Sequence, residues 1–262
     1  MLPIDHSRLT RDGKAIILAH DHGLEHGPTK FEGVRERLAP ETVFEMATHD
    51  AVTGFAVGKG LAETYYPSYE DSVSLLAKLN GGSSLWMGEP DSAVNWSVEY
   101  AAELGAEAVG FTVYPGSNQE LEMAEEFREV QETAREHDLP VAMWSYPRGQ
   151  GVKSHRKPEV IAYATRIALE LGADIVKVKY PRSPEAMQWA VEAAGDCKVV
   201  LSGGAKTDDH DFLTTVEAAM DAGAAGLAVG RNVWQHEDPT YILDALEAVV
   251  FEGATADEAL DS

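Results

Sequence analysis

The chain has a single cysteine, Cys197, among 262 residues. That excludes an intrachain disulfide and a thiolate metal cluster. Cys197 itself reads as a small core residue beside the apolar run Val199-Val200-Leu201. Bases are scarce, 21 against 44 acids, and a net charge of −23 speaks against nucleic acid or an anionic membrane as a partner. No apolar run approaches the roughly 20 residues of a membrane span. The start, Met1-Leu-Pro-Ile-Asp-His6, lacks the apolar stretch of a secretory signal. These absences lead to the expectation of a soluble, cytoplasmic protein. Missing too is a Gly-x-Gly-x-x-Gly fingerprint after the first strand, which an open doubly wound sheet would more often carry. No Pro/Ser-rich linker or low-complexity block divides the chain.

What is present is a long acidic surface pattern. Glu120, Glu122, Glu125, Glu126, Glu129, Glu132 and Glu136 lie in one helical segment and read as a solvated face. A halophilic source would account for such a surface, because high salt screens its self-repulsion; melting in rising KCl tests that expectation. Hydrophobic residues make up 44% of the chain, enough for a sizeable core.

Short β-rich runs alternate with longer helical ones from start to end. Strands are expected at 15–21, 52–57, 73–79, 108–114, 141–145, 173–180, 199–201 and 226–229. Helices are expected near 40–49, 95–104, 118–137, 158–171, 184–194, from Asp208 or Asp209 to 222, and 239–250. Gly105 and Gly172 stop two of them, and Ser183-Pro184 opens another. The stretch His22 to Pro28 reads as a Gly-rich loop. Eight strands alternating with helices predict one (β/α)8 barrel of the α/β class, spanning about 13–250 as a single domain over 1–262. The small, acidic tail 253–262 reads as loosely held.

A barrel carries its chemistry on the loops after its strands. In the sixth strand, Ala173-Asp-Ile-Val-Lys-Val-Lys-Tyr180, Ile175, Lys177 and Lys179 share one face. A lysine on the inner face of an apolar strand is costly unless used or paired. One reading makes Lys177 an amine nucleophile that forms a Schiff base. The other makes it half of a structural ion pair with an inner carboxylate such as Asp21. Depth favours Lys177 over Lys179 as nucleophile, since burial disfavours the charged amine and a cation at Lys179 would lower it further.

Other strand ends add groups to the same face. The first gives Asp21 and His22, a base or a hydroxyl acceptor among the readings for Asp21. The fifth gives Trp144, Tyr146 and Arg148; Tyr146 can donate and accept a proton. The seventh and eighth give Ser202-Gly203-Gly204-Ala205-Lys206 and Gly230-Arg231-Asn232. Gly203, Gly204, Gly230 and Arg231 suit a phosphate, which barrels often bind after strands seven and eight. Lys206 adds charge there or is a surface lysine. His20, Asp21, His22, Glu25 and His26 invite a metal, but His20 and Asp21 point to opposite sides of the strand. No metal is expected.

These motifs resemble the archaeal-type class I fructose-1,6-bisphosphate aldolases, of the DeoC/FbaB-like aldolases, over nearly the whole chain. The marks are 19-AHDHGLEHGP-28, 78-KLNG-81, 144-WSYPRG-149, 173-ADIVKVKY-180, 201-LSGGAK-206 and 228-AVGRNVW-234. The resemblance implies Schiff-base chemistry on Lys177 with no metal and no cofactor, and a sugar-phosphate substrate. Asp21 would be the base and Tyr146 the phenolic proton carrier, either one assisting removal of the C4-hydroxyl proton. Trp144, His22, Arg148, Lys179 and Ser202 would border the substrate, and Gly203, Gly204, Gly230 and Arg231 its phosphate. It also implies a homo-oligomer, pentamer or decamer. His20 departs from the family's usual tyrosine and Ala205 from its common proline. The alternative from the same superfamily is a 2-amino-3,7-dideoxy-D-threo-hept-6-ulosonate synthase, which would use the same lysine for transaldol transfer.

Overall fold

A computed structural model describes residues 6–261; the expectation about the extreme N-terminus falls largely outside them. Ten strands occur among the described residues: β1 (Ala15–Ala19), β2 (Gly54–Val57), β3 (Leu75–Lys78), β4 (Asn80–Gly81), β5 (Ala93–Val94), β6 (Ala108–Val113), β7 (Val141–Ser145), β8 (Ile175–Val178), β9 (Lys198–Ser202) and β10 (Gly226–Val229). Eight close a parallel barrel in the order β1-β10-β9-β8-β7-β6-β3-β2. The chain is therefore a (β/α)8 barrel, as expected, and each expected strand is a barrel strand. The barrel strands are packed on both faces, which is why they read as near-continuous apolar runs such as Ala-Ile-Ile-Leu-Ala in β1.

Eleven helices occur among the described residues: α1 (His22–His26), α2 (Pro40–Ala47), α3 (Lys59–Tyr65), α4 (Val98–Glu103), α5 (Glu120–Glu136), α6 (Pro158–Glu170), α7 (Pro184–Ala194), α8 (Asp209–Asp221), α9 (Arg231–Trp234), α10 (Pro239–Glu247) and α11 (Ala256–Leu260). Proline opens α2, α6, α7 and α10, where its missing N–H costs nothing. The Ser183 hydroxyl accepts from Ala186 N at the start of α7, and Asp208 accepts from Asp211 N at the start of α8. In α5, Met123, Phe127, Val130 and Ala134 are buried, the inner stripe of an amphipathic helix whose glutamates face water.

Two contacts fix the lysine strand. Arg135 on α5 grips Asp174 through both guanidinium nitrogens at 2.7 Å, and Asp174 also accepts from Val141 N at 2.7 Å. The starts of β7 and β8 are thereby clamped to one helix; breaking such a nearly buried pair typically costs about 3 kcal/mol. Higher in the barrel, Gly110 makes room for Trp144. A Cβ at Gly110 would stand 2.7 Å from Leu76 Cδ2 and 2.8 Å from Trp144 Cζ3.

The structure corrects three expectations. The stretch read as a Gly-rich loop is a helical turn, α1, followed by a 3-10 turn at Gly27–Phe31; Asp21 heads that turn, and β1 ends at Ala19. The fourth helix starts only at Val98, because Asn95 N is held by Leu79 O at 2.7 Å beside the antiparallel β4–β5 pair. The tail is not loose over its described residues, 253–261. Thr255 and Glu258 cap each other reciprocally at the start of α11, and Ala256 and Ala259 are buried.

Candidate active site

Lys177 sits in the middle of the barrel, paired in register between Trp144 on β7 and Val200 on β9. It is 5% exposed. Its Nζ lies 4.8 Å from the centre of the Trp144 ring. Among the described residues it makes no hydrogen bond. Burial lowers its pKa and Arg231 adds to the effect, against the pull of Asp21 and Glu25. Arg231 and, through its own coupling to Lys177, Lys78 are cations that act on it.

One cavity of about 210 Å³ opens above this lysine. It is lined by Asp21, His22, Trp144, Tyr146, Arg148, Lys177, Lys179, Ser202, Gly203, Gly204, Gly230 and Arg231. The side chains and glycines assigned to nucleophile, base, proton carrier, substrate border and phosphate in the sequence thus meet at one place. Glu25, His26 and Arg156 line it as well.

Each wall has a distinct character. On one side, Asp21 Oδ1 stands 3.5 Å from His22 Nδ1, without hydrogen-bond alignment. Burial pushes the Asp21 carboxyl up, but His22, Lys177 and Lys78 outweigh it and hold the group well below the usual carboxylate range. Opposite, the Tyr146 hydroxyl donates to Ser202 Oγ at 3.4 Å. Burial drives its phenol above its ordinary value despite Ser202, so Tyr146 is neutral and carries its proton. Lys179 lies beyond the end of β8, with Nζ 5.8 Å from the Tyr146 ring centre. Burial first, then Arg148, Arg156 and Arg231, lower its pKa to about 8.

The loops after β9 and β10 are stitched together by Asn232. Its Nδ2 donates to Gly203 O at 2.6 Å and to Ala205 O at 3.2 Å, and its Oδ1 accepts from Thr207 N at 3.1 Å. Gly204 has φ +72°, a left-handed conformation that favours glycine. Arg231 follows Gly230 directly, and its Nε is buried without a hydrogen-bond partner. Lys206 instead turns outward to Gln235 O, 2.8 Å away.

The sequence reading passed over Lys78 and Asn80 as site groups. Lys78 ends β3, is 3% exposed, and its Nζ lies 5.7 Å from the Trp144 ring on the same barrel axis. Its ammonium donates to Asn80 O and, at 2.8 Å, to Asn80 Oδ1. The signal was available: an inward lysine closing Leu75-Leu76-Ala77-Lys78 is the pattern that drew attention to Lys177. Arg156 carried no such signal. His20, considered with the metal candidates, packs its ring among Phe31, Phe55 and Trp234. Among the described residues no group of three or more His, Cys, Asp and Glu side chains is arranged to hold a metal ion.

A buried amine beside an aromatic ring, between a carboxylate and a phenol and under glycine-rich loops, suits Schiff-base formation with a carbonyl substrate. The family model of the DeoC/LacD family aldolases matches residues 15–236. The chain belongs to this family. It is 66% identical over 260 residues to the class 1 fructose-bisphosphate aldolase of Halobacterium salinarum, covering 99% of each chain. It is 34% identical over 255 residues to the 2-amino-3,7-dideoxy-D-threo-hept-6-ulosonate synthase 1 of Archaeoglobus fulgidus, covering 97% of this chain and 93% of that one. It also superposes, at 47% identity and a TM-score of 0.89, on an archaeal fructose-1,6-bisphosphate aldolase solved with its catalytic lysine bound to the carbinolamine intermediate. That match covers 92% of this chain and 96% of the other. These matches span nearly the whole chain.

Proposed function

We propose that this chain is a class I fructose-1,6-bisphosphate aldolase that cleaves its substrate reversibly to dihydroxyacetone phosphate and glyceraldehyde 3-phosphate, a step of glycolysis and gluconeogenesis. The observation that carries the reading is Lys177: a buried amine free of hydrogen bonds among the described residues, in one cavity with Asp21, Tyr146 and two glycine loops. The 66% identity to a relative of that activity, against 34% for the heptulosonate synthase, sets the substrate.

The chemistry follows from the geometry. Neutral Lys177 attacks the C2 ketone of the open-chain sugar. Loss of water gives a protonated imine, which serves as electron sink, so the reading assigns no metal and no cofactor. Removal of the C4-hydroxyl proton breaks the C3–C4 bond, and glyceraldehyde 3-phosphate leaves. Tyr146, which holds its proton, protonates the enamine at C3, and hydrolysis frees dihydroxyacetone phosphate. Gly203, Gly204, Gly230 and the orphan Nε of Arg231 bind one phosphate, with Ser202, Lys179 and Arg148 beside it. Anchored there, the substrate presents C2 to the amine. Trp144 walls the amine from water, and His22 steadies Asp21.

The wider reading is of a cytoplasmic, halophilic homo-oligomer acting on a sugar phosphate, with one domain. The acidic surface supports it, and among the described residues no helix is long and apolar enough to cross a membrane. Borohydride reduction with fructose 1,6-bisphosphate, followed by peptide mapping, tests the core of the proposal. Triose phosphate release and a reduced adduct on Lys177 are the expected results. An adduct without triose phosphate would point to transaldol transfer, and the absence of any adduct would defeat the Schiff-base reading.

A further inference from the structure

We propose that Arg156 is a further substrate-binding residue of this site: its guanidinium closes a ring of cations over the phosphate that adjoins the reacting ketone. The inference rests on the aldolase reading above and deepens it at a residue which that reading leaves unassigned. Its ground is the distribution of charge. The chain has 44 acids against 21 bases, yet residues 146–158 hold no acid and four bases, Arg148, Lys153, Arg156 and Lys157. This strap joins β7 to α6 over the barrel mouth. Between 153 and 157 only Arg156 is half-buried; Lys153, Ser154, His155 and Lys157 are exposed. Arg156 lines the lysine cavity.

The strap is held at both ends. Arg148 N donates to Pro115 O at 3.0 Å, and Gly151 N donates to Gly116 O at 3.1 Å. Gly149 has φ +102°, and a Cβ there would stand 2.7 Å from Gly116 O, so the strap lies close against the loop after β6. At its far end Pro158 opens α6, and Lys157 pairs with Glu159 at 3.6 Å. Arg156 is thereby kept beside the cavity.

Arginines elsewhere have partners: Arg11 pairs with Glu247, Arg128 with Glu132 and Arg135 with Asp174, each at 2.7 Å. Arg148, Arg156, Lys179 and Arg231 are all half-buried and all line the lysine cavity. Among the described residues none of the four forms an ion pair, although Asp21 and Glu25 share the cavity. The four act on one another: after burial, Arg148, Arg156 and Arg231 are what lower Lys179. Like charges gathered without a counter-charge repel and lose hydration. A phosphate, of charge about −1.5 to −2, offsets both. The whole substrate carries about −3 to −4 and must approach a chain of net charge −23, so local cations are what draw it in.

The cavities decide which phosphate Arg156 meets. Arg148 also lines a neighbouring cavity of about 400 Å³, beside Trp86 and Tyr114. Arg156 borders the lysine cavity and not that one. A substrate bonded at C2 to Lys177 keeps the phosphate of C1 within the lysine cavity. The chain from C3 onward leads away from it.

Borohydride trapping on Lys177 reads this contact with two ketones, dihydroxyacetone phosphate and dihydroxyacetone, which differ only in the phosphate. Arg156→Gln should raise the half-saturating concentration of the first by about 10- to 100-fold. That of the second should stay within about twofold of wild type, because no phosphate contact is lost. KM for fructose 1,6-bisphosphate should rise with the first, at nearly unchanged kcat, and Arg156→Lys should recover part of the loss. In molar KCl, where the Debye length is about 3 Å, the Arg156→Gln loss should persist, whereas Lys153→Gln should match wild type. Unchanged trapping in Arg156→Gln would overturn the inference. So would an equal loss with both ketones, which would make Arg156 part of the wall. A loss with the bisphosphate alone would place it on the other phosphate, and a loss that vanishes in KCl would reduce it to a distant charge; either result overturns the contact. A wild type that traps dihydroxyacetone phosphate but releases no triose phosphate from the bisphosphate would end the aldolase reading and leave the contact to be judged on trapping.

Discussion

Two lysines are buried in the same barrel, and their surroundings differ in one decisive respect. Lys177, in β8, and Lys78, at the end of β3, both point at the Trp144 ring, at 4.8 and 5.7 Å. Burial lowers both amines, Lys78 to about 8. Depth and desolvation therefore do not choose between them. Hydrogen bonding does. Lys78 gives its protons to Asn80, so its nitrogen lone pair is committed to an ammonium held by acceptors. Lys177 has no such acceptor among the described residues, and its lone pair is available once a proton leaves. A nucleophile here is a buried amine that nothing holds, whereas its neighbour is a fixed positive charge beside Asp21 and Glu25.

Replacing each lysine by methionine breaks this contrast most directly. Lys177→Met should abolish borohydride trapping and lower cleavage by about 10⁴-fold or more, as expected when a covalent nucleophile is removed. Lys78→Met should keep the trapped adduct on Lys177. Its rate should fall on the order of tenfold, the effect of moving a neighbouring carboxylate by about one pKa unit. Adduct mapping and kcat on both variants check the pair. An adduct on Lys78 in the wild type would reverse the two roles.

The next effect lies in the restraint itself. Asn80 is 2% exposed and fully engaged: Nδ2 donates to Ser92 O at 3.0 Å and Thr112 O at 2.9 Å, while Oδ1 accepts from Thr112 N at 2.7 Å and from Lys78. Asn80→Ala strips Lys78 of its side-chain acceptor and leaves Thr112 N–H unpaired in the barrel wall. A loss of about 3 kcal/mol is expected from buried groups left unsatisfied, read as a lower denaturation midpoint at unchanged slope. A loss below about 1 kcal/mol would mean that water satisfies these groups, and that Lys78 is less firmly tied than its contacts show.

The same contrast explains what was legible in the sequence. Lys177 stood out because its neighbours, Ile175, Val176 and Val178, are apolar and the strand has a period. The eight barrel strands were legible for that reason, and the helix stops for theirs. Lys78 had the same apolar prelude, but its partner lies in β4, two residues long, where no period can show. Glu25 was hidden differently. The run Asp-His-Gly-Leu-Glu-His-Gly reads as a loop from composition, and only the helical turn of α1 brings Glu25 back over Asp21. The tail was a misreading of available information. Thr255-x-x-Glu258 is a capping box in the sequence itself, outweighed by acidic, small composition.

A third lysine sharpens the contrast at its weakest point. Lys179 is half-buried, shares a face with Lys177, and is lowered to about 8 by burial and the three arginines around it. Its sign of action is opposite to that of Lys177. As pH rises, Lys177 gains activity by losing its proton, whereas Lys179 loses the charge that attracts phosphate. In the free enzyme, kcat/KM should fall on the alkaline side through about pH 8. Removal of one partly exposed charge is worth about 1 kcal/mol, or roughly fivefold. Lys179→Arg keeps the charge at every working pH and should flatten this limb, with the adduct still on Lys177. A limb that persists in Lys179→Arg belongs to another group, and Lys179 would then be only a neighbour in the wall.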